Sequence, residues 1–152
     1  VQHQSWLLYE YTTLRTLWEK GAAVPRPVAV GENAILMSFH GDDSRGAPTL
    51  VEVDLAPDEA RRLFADVRRT LAILLAEGVV HGDLSAYNIL YHDGAITFID
   101  FPQVVRLGEN PHAEAILARD LTRICDFFSR AGVPCDPVSL RRELAAPPEP
   151  RS

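Results

Sequence analysis

The dipeptide Asp93-Gly94 lies between two strand-forming runs, NILYH and AITFID, and this arrangement restricts the chain more than any other local feature. Asp-Gly is favoured in two-residue hairpin turns, whose central residues need positive φ, and such a turn fixes the register of both strands. His92 then faces Ala95, Tyr91 faces Ile96, Leu90 faces Thr97, Ile89 faces Phe98 and Asn88 faces Ile99. Asn88 and Asp100 fall on diagonal positions at the open end, where backbones lie about 7–8 Å apart or less. Their side chains are thus placed to share one small cation.

The segment leading into the hairpin, VVHGDLSAYNIL, follows a helix stop at Gly78 and contains Asp83 five residues before Asn88. The pattern is H-x-D-x-x-x-x-N, with an aspartate twelve residues further on after an apolar strand. In phosphoryl transfer from ATP, a loop Asp accepts or orients the acceptor hydroxyl, while an Asn and a second Asp hold magnesium on the phosphates. Mg²⁺ takes oxygen ligands and keeps several waters, so one carboxylate and one amide suffice beside the phosphates. The bland alternative is a loop and hairpin whose polar residues only make turns and caps. His81 reads as a support for the loop through hydrogen bonds. Asp120 either braces that loop or pairs with Arg119 or Arg123, and a structural role is favoured.

Helical periodicity elsewhere predicts a mainly helical domain. Ser5 is the expected N-cap of a first helix in which Leu7, Leu8, Tyr11, Leu14, Leu17 and Trp18 recur up to Gly21. Pro25 and Pro27 force extended backbone, and a turn at residues 31–33 joins that segment to the apolar run AILMSF, giving a short two-stranded unit. Residues 40–50 read as a surface loop. Pro57, Asp58 and Glu59 suit the first turn of a core helix with Leu63, Phe64, Val67, Leu71 and Leu74 on its apolar stripe. A third helix carries Ala113, Ile116, Leu117, Leu121, Ile124, Phe127 and Phe128 up to Gly132, a short helix covers 137–145, and the proline-rich residues 146–152 read as a disordered tail.

With 152 residues, 47% of them apolar, the chain has enough material for one globular core. Its apolar runs fall far short of the roughly 20 residues that cross a bilayer, and no signal segment opens it, so a cytoplasmic setting without membrane partners is expected. The net charge of -6 gives no direct signal for nucleic acid. Cys125 and Cys135 have neither CxxC spacing nor zinc-ligand neighbours and are expected to be reduced.

The run HGDLSAYNIL followed by IDFPQ resembles the catalytic and metal-binding loops of the RIO kinase family, including Ser85, Tyr87 and Gln103. Aminoglycoside and choline phosphotransferases share the HGD, the Asn and the ID, but usually carry other residues at positions 85 and 87 and lack the glutamine. The resemblance runs from the first helix, with Glu10-Tyr11, through ILMSFHG, to Arg119-Asp120. It implies an α+β fold: a kinase-like C-terminal lobe over 41–145, mainly helical with a catalytic-loop hairpin, and a remnant of the N-lobe over 1–40. It implies Asp83 as the catalytic aspartate, Asn88 and Asp100 as ligands of Mg²⁺ and ATP, and Met37 to His40 as the adenine hinge, with Ser38 in place of the family's usual acidic residue. Glu10 takes the position of the glutamate that pairs with the ATP-binding lysine.

The one lysine, against fourteen arginines, is Lys20 at the far end of the first helix, and only VQHQ precedes that helix. The glycine-rich strands and strand lysine of a kinase are therefore expected to be missing, by fragmentation or natural truncation. The implied function is Mg²⁺-dependent serine/threonine phosphoryl transfer from ATP, or ATP hydrolysis, directed at a protein substrate or at the chain itself. Ribosome-related partners enter if the source is not bacterial. Two rival readings are a small-molecule phosphotransferase and a non-catalytic pseudokinase module that binds a partner.

Overall fold

The structure is a computed structural model that describes residues 2–30, 35–37, 46–101 and 104–145, with backbone alone for 2–9, 28–30 and 35–37. The described residues form an α+β mixture of four helices and three small antiparallel sheets. The tail at 146–152, the loop at 40–45, the turn at 31–33, and Ser38, His40 and Gln103 lie outside the described residues.

Helix α1 spans Gln2–Glu19. It begins three residues before the expected cap at Ser5, because glutamines propagate a helix well and neither Pro nor Gly interrupts the first turn. Leu14 and Leu17 are buried, whereas Trp18, expected on the same stripe, is 42% exposed with Arg26 over its ring. The apolar stripe therefore ends on Leu17, and Trp18 forms its rim. The link after α1 leads into β1 (Pro27–Val30), which pairs with β2 (Ile35–Met37) as the predicted two-stranded unit, with a register irregularity between Pro27 and Ala29.

Helix α2 (Pro57–Ala76) starts with Pro at its first position, where the missing N–H costs no hydrogen bond. Leu63, Val67, Leu71 and Leu74 are buried as predicted, each worth about 1.5–3 kcal/mol gross. Phe64 is half-buried and meets Phe128 at a ring distance of 5.0 Å. After Gly78 comes β3 (Val79–Val80), which pairs with β6 (Val105–Arg106). Arg106 ties this sheet to both helices, donating to the Thr13 hydroxyl at 3.0 Å and to the Glu77 carbonyl at 3.2 Å.

The hairpin of β4 (Ile89–His92) and β5 (Ala95–Phe98) has the predicted register at every pair from Ile89–Phe98 to His92–Ala95. Asp93 and Gly94 have φ of 50° and 78°, the two positive values that an Asp-Gly turn supplies. The hairpin is held on both sides. The Phe98 N–H donates to the Ala23 carbonyl at 2.7 Å, and the Tyr91 N–H donates to the Pro48 carbonyl at 2.8 Å.

Helices α3 (Ala113–Arg130) and α4 (Pro137–Ala145) close the core with Leu117, Leu121, Ile124, Phe128 and Leu140. The cysteines correct the expectation of reduced thiols: Cys125 and Cys135 form a disulfide, with Cα atoms 4.8 Å apart. The chain reverses after α3, where the N–H groups of Gly132 and Val133 donate back to Ser129 and Phe128. That reversal returns Cys135 alongside the buried Cys125, a pairing that depends on tertiary geometry and has no sequence motif.

Candidate active site

The loop from His81 to Leu84 leaves β3 and is shaped almost entirely by hydrogen bonds from residues outside it. Gly82 adopts φ 96°, a conformation that favours glycine, and both of its peptide groups meet α3. Its N–H donates to Asp120 Oδ2 at 2.9 Å, and its carbonyl accepts from Arg119. The Leu84 N–H donates to Asp120 Oδ1 at 3.1 Å, so a single buried carboxylate takes two main-chain donors of the loop. Of the roles open to Asp120 in the sequence, bracing the loop is the one the structure shows. Burial pushes its carboxyl above the usual range, against the opposing effect of the Gly82 and Leu84 N–H groups.

His81 is 1% exposed and packs its ring 4.7 Å from that of Phe101. Nε2 lies 2.7 Å from the Ile99 carbonyl, and Nδ1 accepts the Asp83 N–H at 3.1 Å. These partners define a neutral ring: Nε2 must carry the proton and Nδ1 must not. His81 thus links the loop to the end of β5, the supporting role expected of it.

Burial lowers the His81 pKa from its ordinary 6.5, although the Ile99 carbonyl and the nearby carboxylates oppose the shift. Protonation would also put a second N–H against the Asp83 N–H. In the pH range just below the unfolded value of about 6.5, the unfolded chain therefore binds more protons than the folded one. Folding stability should be fully present above that value and decline as pH falls towards the folded pKa. Urea melts across pH 5–7.5 check this, with His81→Gln expected to flatten the pH dependence while lowering stability at every pH.

Asp83 is locked by its main chain on both sides, because its carbonyl also accepts from Asn88 Nδ2 at 2.7 Å. That bond orients the Asn88 amide, since the atom donating to a carbonyl must be nitrogen, and leaves Oδ1 as an oxygen that could hold a cation. A single 3₁₀ turn, Ala86–Asn88, presents the asparagine, and the Ser85 hydroxyl caps it by accepting from the Tyr87 N–H at 3.2 Å. The Ile99 N–H then donates to the Asn88 carbonyl at 2.9 Å, which extends the hairpin register by one residue. Asp100 comes next, exposed and at φ 63°, in the left-handed region that non-glycine residues enter only where surroundings hold them. The Asp83 carboxylate itself pairs with Arg123 Nη1 at 3.0 Å.

Asp83, Asn88 and Arg123 line a cleft of about 620 Å³ together with Val51, Tyr87 and Phe127. Tyr87 is 69% exposed on its rim. Sequence reasoning missed Arg123 as a partner of Asp83, and its position three residues after Asp120 on an amphipathic helix is the signal that was available. Of the implied hinge, Met37 is described as the end of β2. Glu10 is half-buried and makes no ion pair among the described residues, and burial raises its pKa. Lys20 pairs with Glu77 at the end of α2.

An α+β domain with a helix-braced H-G-D loop, an oriented Asn and an Asp at a hairpin mouth belongs to the class of kinase-like domains. The family model described as the RIO domain matches residues 1–140. The chain belongs to the RIO domain family. It is 35% identical over 137 residues to the RIO-type serine/threonine-protein kinase Rio1 of Haloferax volcanii, covering 90% of this chain and 46% of that protein. It is 33% identical over 139 residues to the protein of the same name from Thermoplasma acidophilum, covering 91% of this chain and 72% of that protein. Against serine/threonine-protein kinase rio1 of Schizosaccharomyces pombe it is 37% identical over 132 residues, which is 86% of this chain and 26% of the yeast protein. The chain thus spans from about a quarter to about three quarters of the length of these relatives.

Proposed function

We propose that this domain transfers the γ-phosphoryl group of ATP to a hydroxyl of a protein, its own chain included, or hydrolyses ATP slowly, as a RIO-type serine/threonine kinase or ATPase. The observation that carries this reading is the coupling of Asp83 to Asn88: one hydrogen bond fixes the backbone of the base and the orientation of the metal ligand together. In this reading residues 1–40 belong to the N-lobe and 41–145 to the C-lobe, and Met37, Ser38 and His40 contact adenine.

The Asp83 carboxylate accepts the proton of the acceptor hydroxyl as its oxygen bonds to the γ-phosphorus and the bond to the β-phosphate oxygen breaks, releasing ADP. Asn88 Oδ1 and the Asp100 carboxylate would hold Mg²⁺. This donor set fits, because two hard oxygens leave room for the phosphate oxygens and waters that Mg²⁺ prefers. Bound there, the ion would neutralise charge on the phosphates. His81, Arg119 and Asp120 keep the loop in place before substrate arrives, and the open cleft beside Asp83, walled by Val51, Tyr87 and Phe127, suits a polypeptide segment as acceptor.

The test is phosphate transfer from labelled ATP with Mg²⁺ by the full-length protein. Labelling of itself or of a protein acceptor, or slow release of phosphate, is expected, with no turnover of aminoglycosides, choline or simple sugars. Saturable turnover of one of those small acceptors, lost on Asp83→Asn, would overturn the reading.

A further inference from the structure

We infer that Arg123 is a positioning residue for the Asp83 carboxylate, aiming it at the acceptor. This rests on the reading of Asp83 as the base. The backbone of Asp83 is fixed by His81 and Asn88, but its side chain is 49% exposed, and on an exposed aspartate several rotamers compete. Among the described residues, the one ion pair made by this carboxylate is with Arg123, Nη1 to Oδ1 at 3.0 Å. Engaging Oδ1 selects a rotamer and leaves Oδ2 as the basic oxygen on the wall of the cleft that both residues line.

The placement of Arg123 is systematic. Arg119 takes the Gly82 carbonyl, Asp120 takes the Gly82 and Leu84 N–H groups, and Arg123 takes the Asp83 side chain. Residues at i, i+1 and i+4 of α3 thus contact three successive loop residues, and Arg123 is the member of the set that touches the chemistry-bearing group. An ion pair between side chains 42% and 49% exposed adds little to stability. Orientation is what it supplies, and misplacing a reacting group by about 1 Å can cost as much as 10²-fold in rate.

The experiment uses the full-length protein with Arg123→Met, Arg123→Lys, Asp83→Asn and the Asp83→Asn/Arg123→Met pair. Arg123→Met should lower kcat by about 10-fold with the KM for ATP and the melting temperature unchanged, and Arg123→Lys should restore most of the loss. In the Asp83→Asn background the second change should have no further effect, since the group it positions is gone. Full activity in Arg123→Met, or an equal loss in both backgrounds, overturns the positioning role while leaving Asp83 as the base. Undiminished turnover in Asp83→Asn overturns the reading of Asp83 itself, and the role of Arg123 falls with it.

Discussion

Asp83→Asn in the full-length protein is expected to lower kcat by roughly 10² to 10⁴-fold, the usual contribution of a positioned general base, while calorimetry shows Mg²⁺-dependent ATP binding unchanged. The two halves of this expectation come from different atoms. The Asp83 side chain faces the cleft and Arg123, whereas the atom that orients Asn88 is the Asp83 main-chain carbonyl, which the substitution leaves alone. Asparagine is close to isosteric with aspartate but has no basic oxygen, so the loop keeps its shape and loses its proton acceptor. Asp100→Asn should behave differently and weaken metal-dependent nucleotide binding as well as turnover. Loss of nucleotide binding in Asp83→Asn with the fold intact would exchange the roles assigned to these two aspartates.

Asp120→Ala should have the largest effect on stability of any polar substitution in the site. It strands the Gly82 and Leu84 N–H groups in the interior, at about 1–3 kcal/mol for each buried donor left unsatisfied. For a domain of this size the sum corresponds to a fall in melting temperature on the order of 10 °C. Asp120→Asn is the more telling variant. Both partners of this carboxylate are donors, so an amide can serve one of them and must turn its own NH₂ on the other. Asn should therefore recover little of the lost stability, and calorimetric melting of the three proteins decides it. Complete recovery by Asn would mean that a single one of the two hydrogen bonds carries the anchoring.

Much of this site was legible in the sequence because its spacing and its turn chemistry state the same geometry. The Asp93-Gly94 turn fixed the strand pairs from Ile89–Phe98 to His92–Ala95, and Asn88 precedes the first strand while Asp100 follows the second. Helices α2 and α3 were equally readable, since each buries a stripe with helical period and stops just before a glycine, Gly78 or Gly132. What escaped was shorter or more distant. Strands β3 and β6 have two residues each, too few to display any period, and they pair across more than twenty residues. The partners of Asp120 and Arg123 lie 36 to 40 residues away, so the helix pattern indicated a face but not what that face would hold. The disulfide was missed for the same reason, as the two cysteines meet only because the chain doubles back after α3.

That the loop is braced from later in the chain has a consequence for how the protein is made. A ribosome producing this chain delivers His81 to Leu84 well before the side chains of Arg119, Asp120 and Arg123. At about 5–20 residues per second, the interval between Asp83 and Arg123 lasts roughly 2 to 8 seconds. Throughout that time the loop lacks the carboxylate that receives its N–H groups, and Gly82 has no reason to stay in its left-handed conformation. Nascent chains that stop short of α3 thus lack the partners that shape the His81–Leu84 loop, and the loop gains them when that helix emerges and docks.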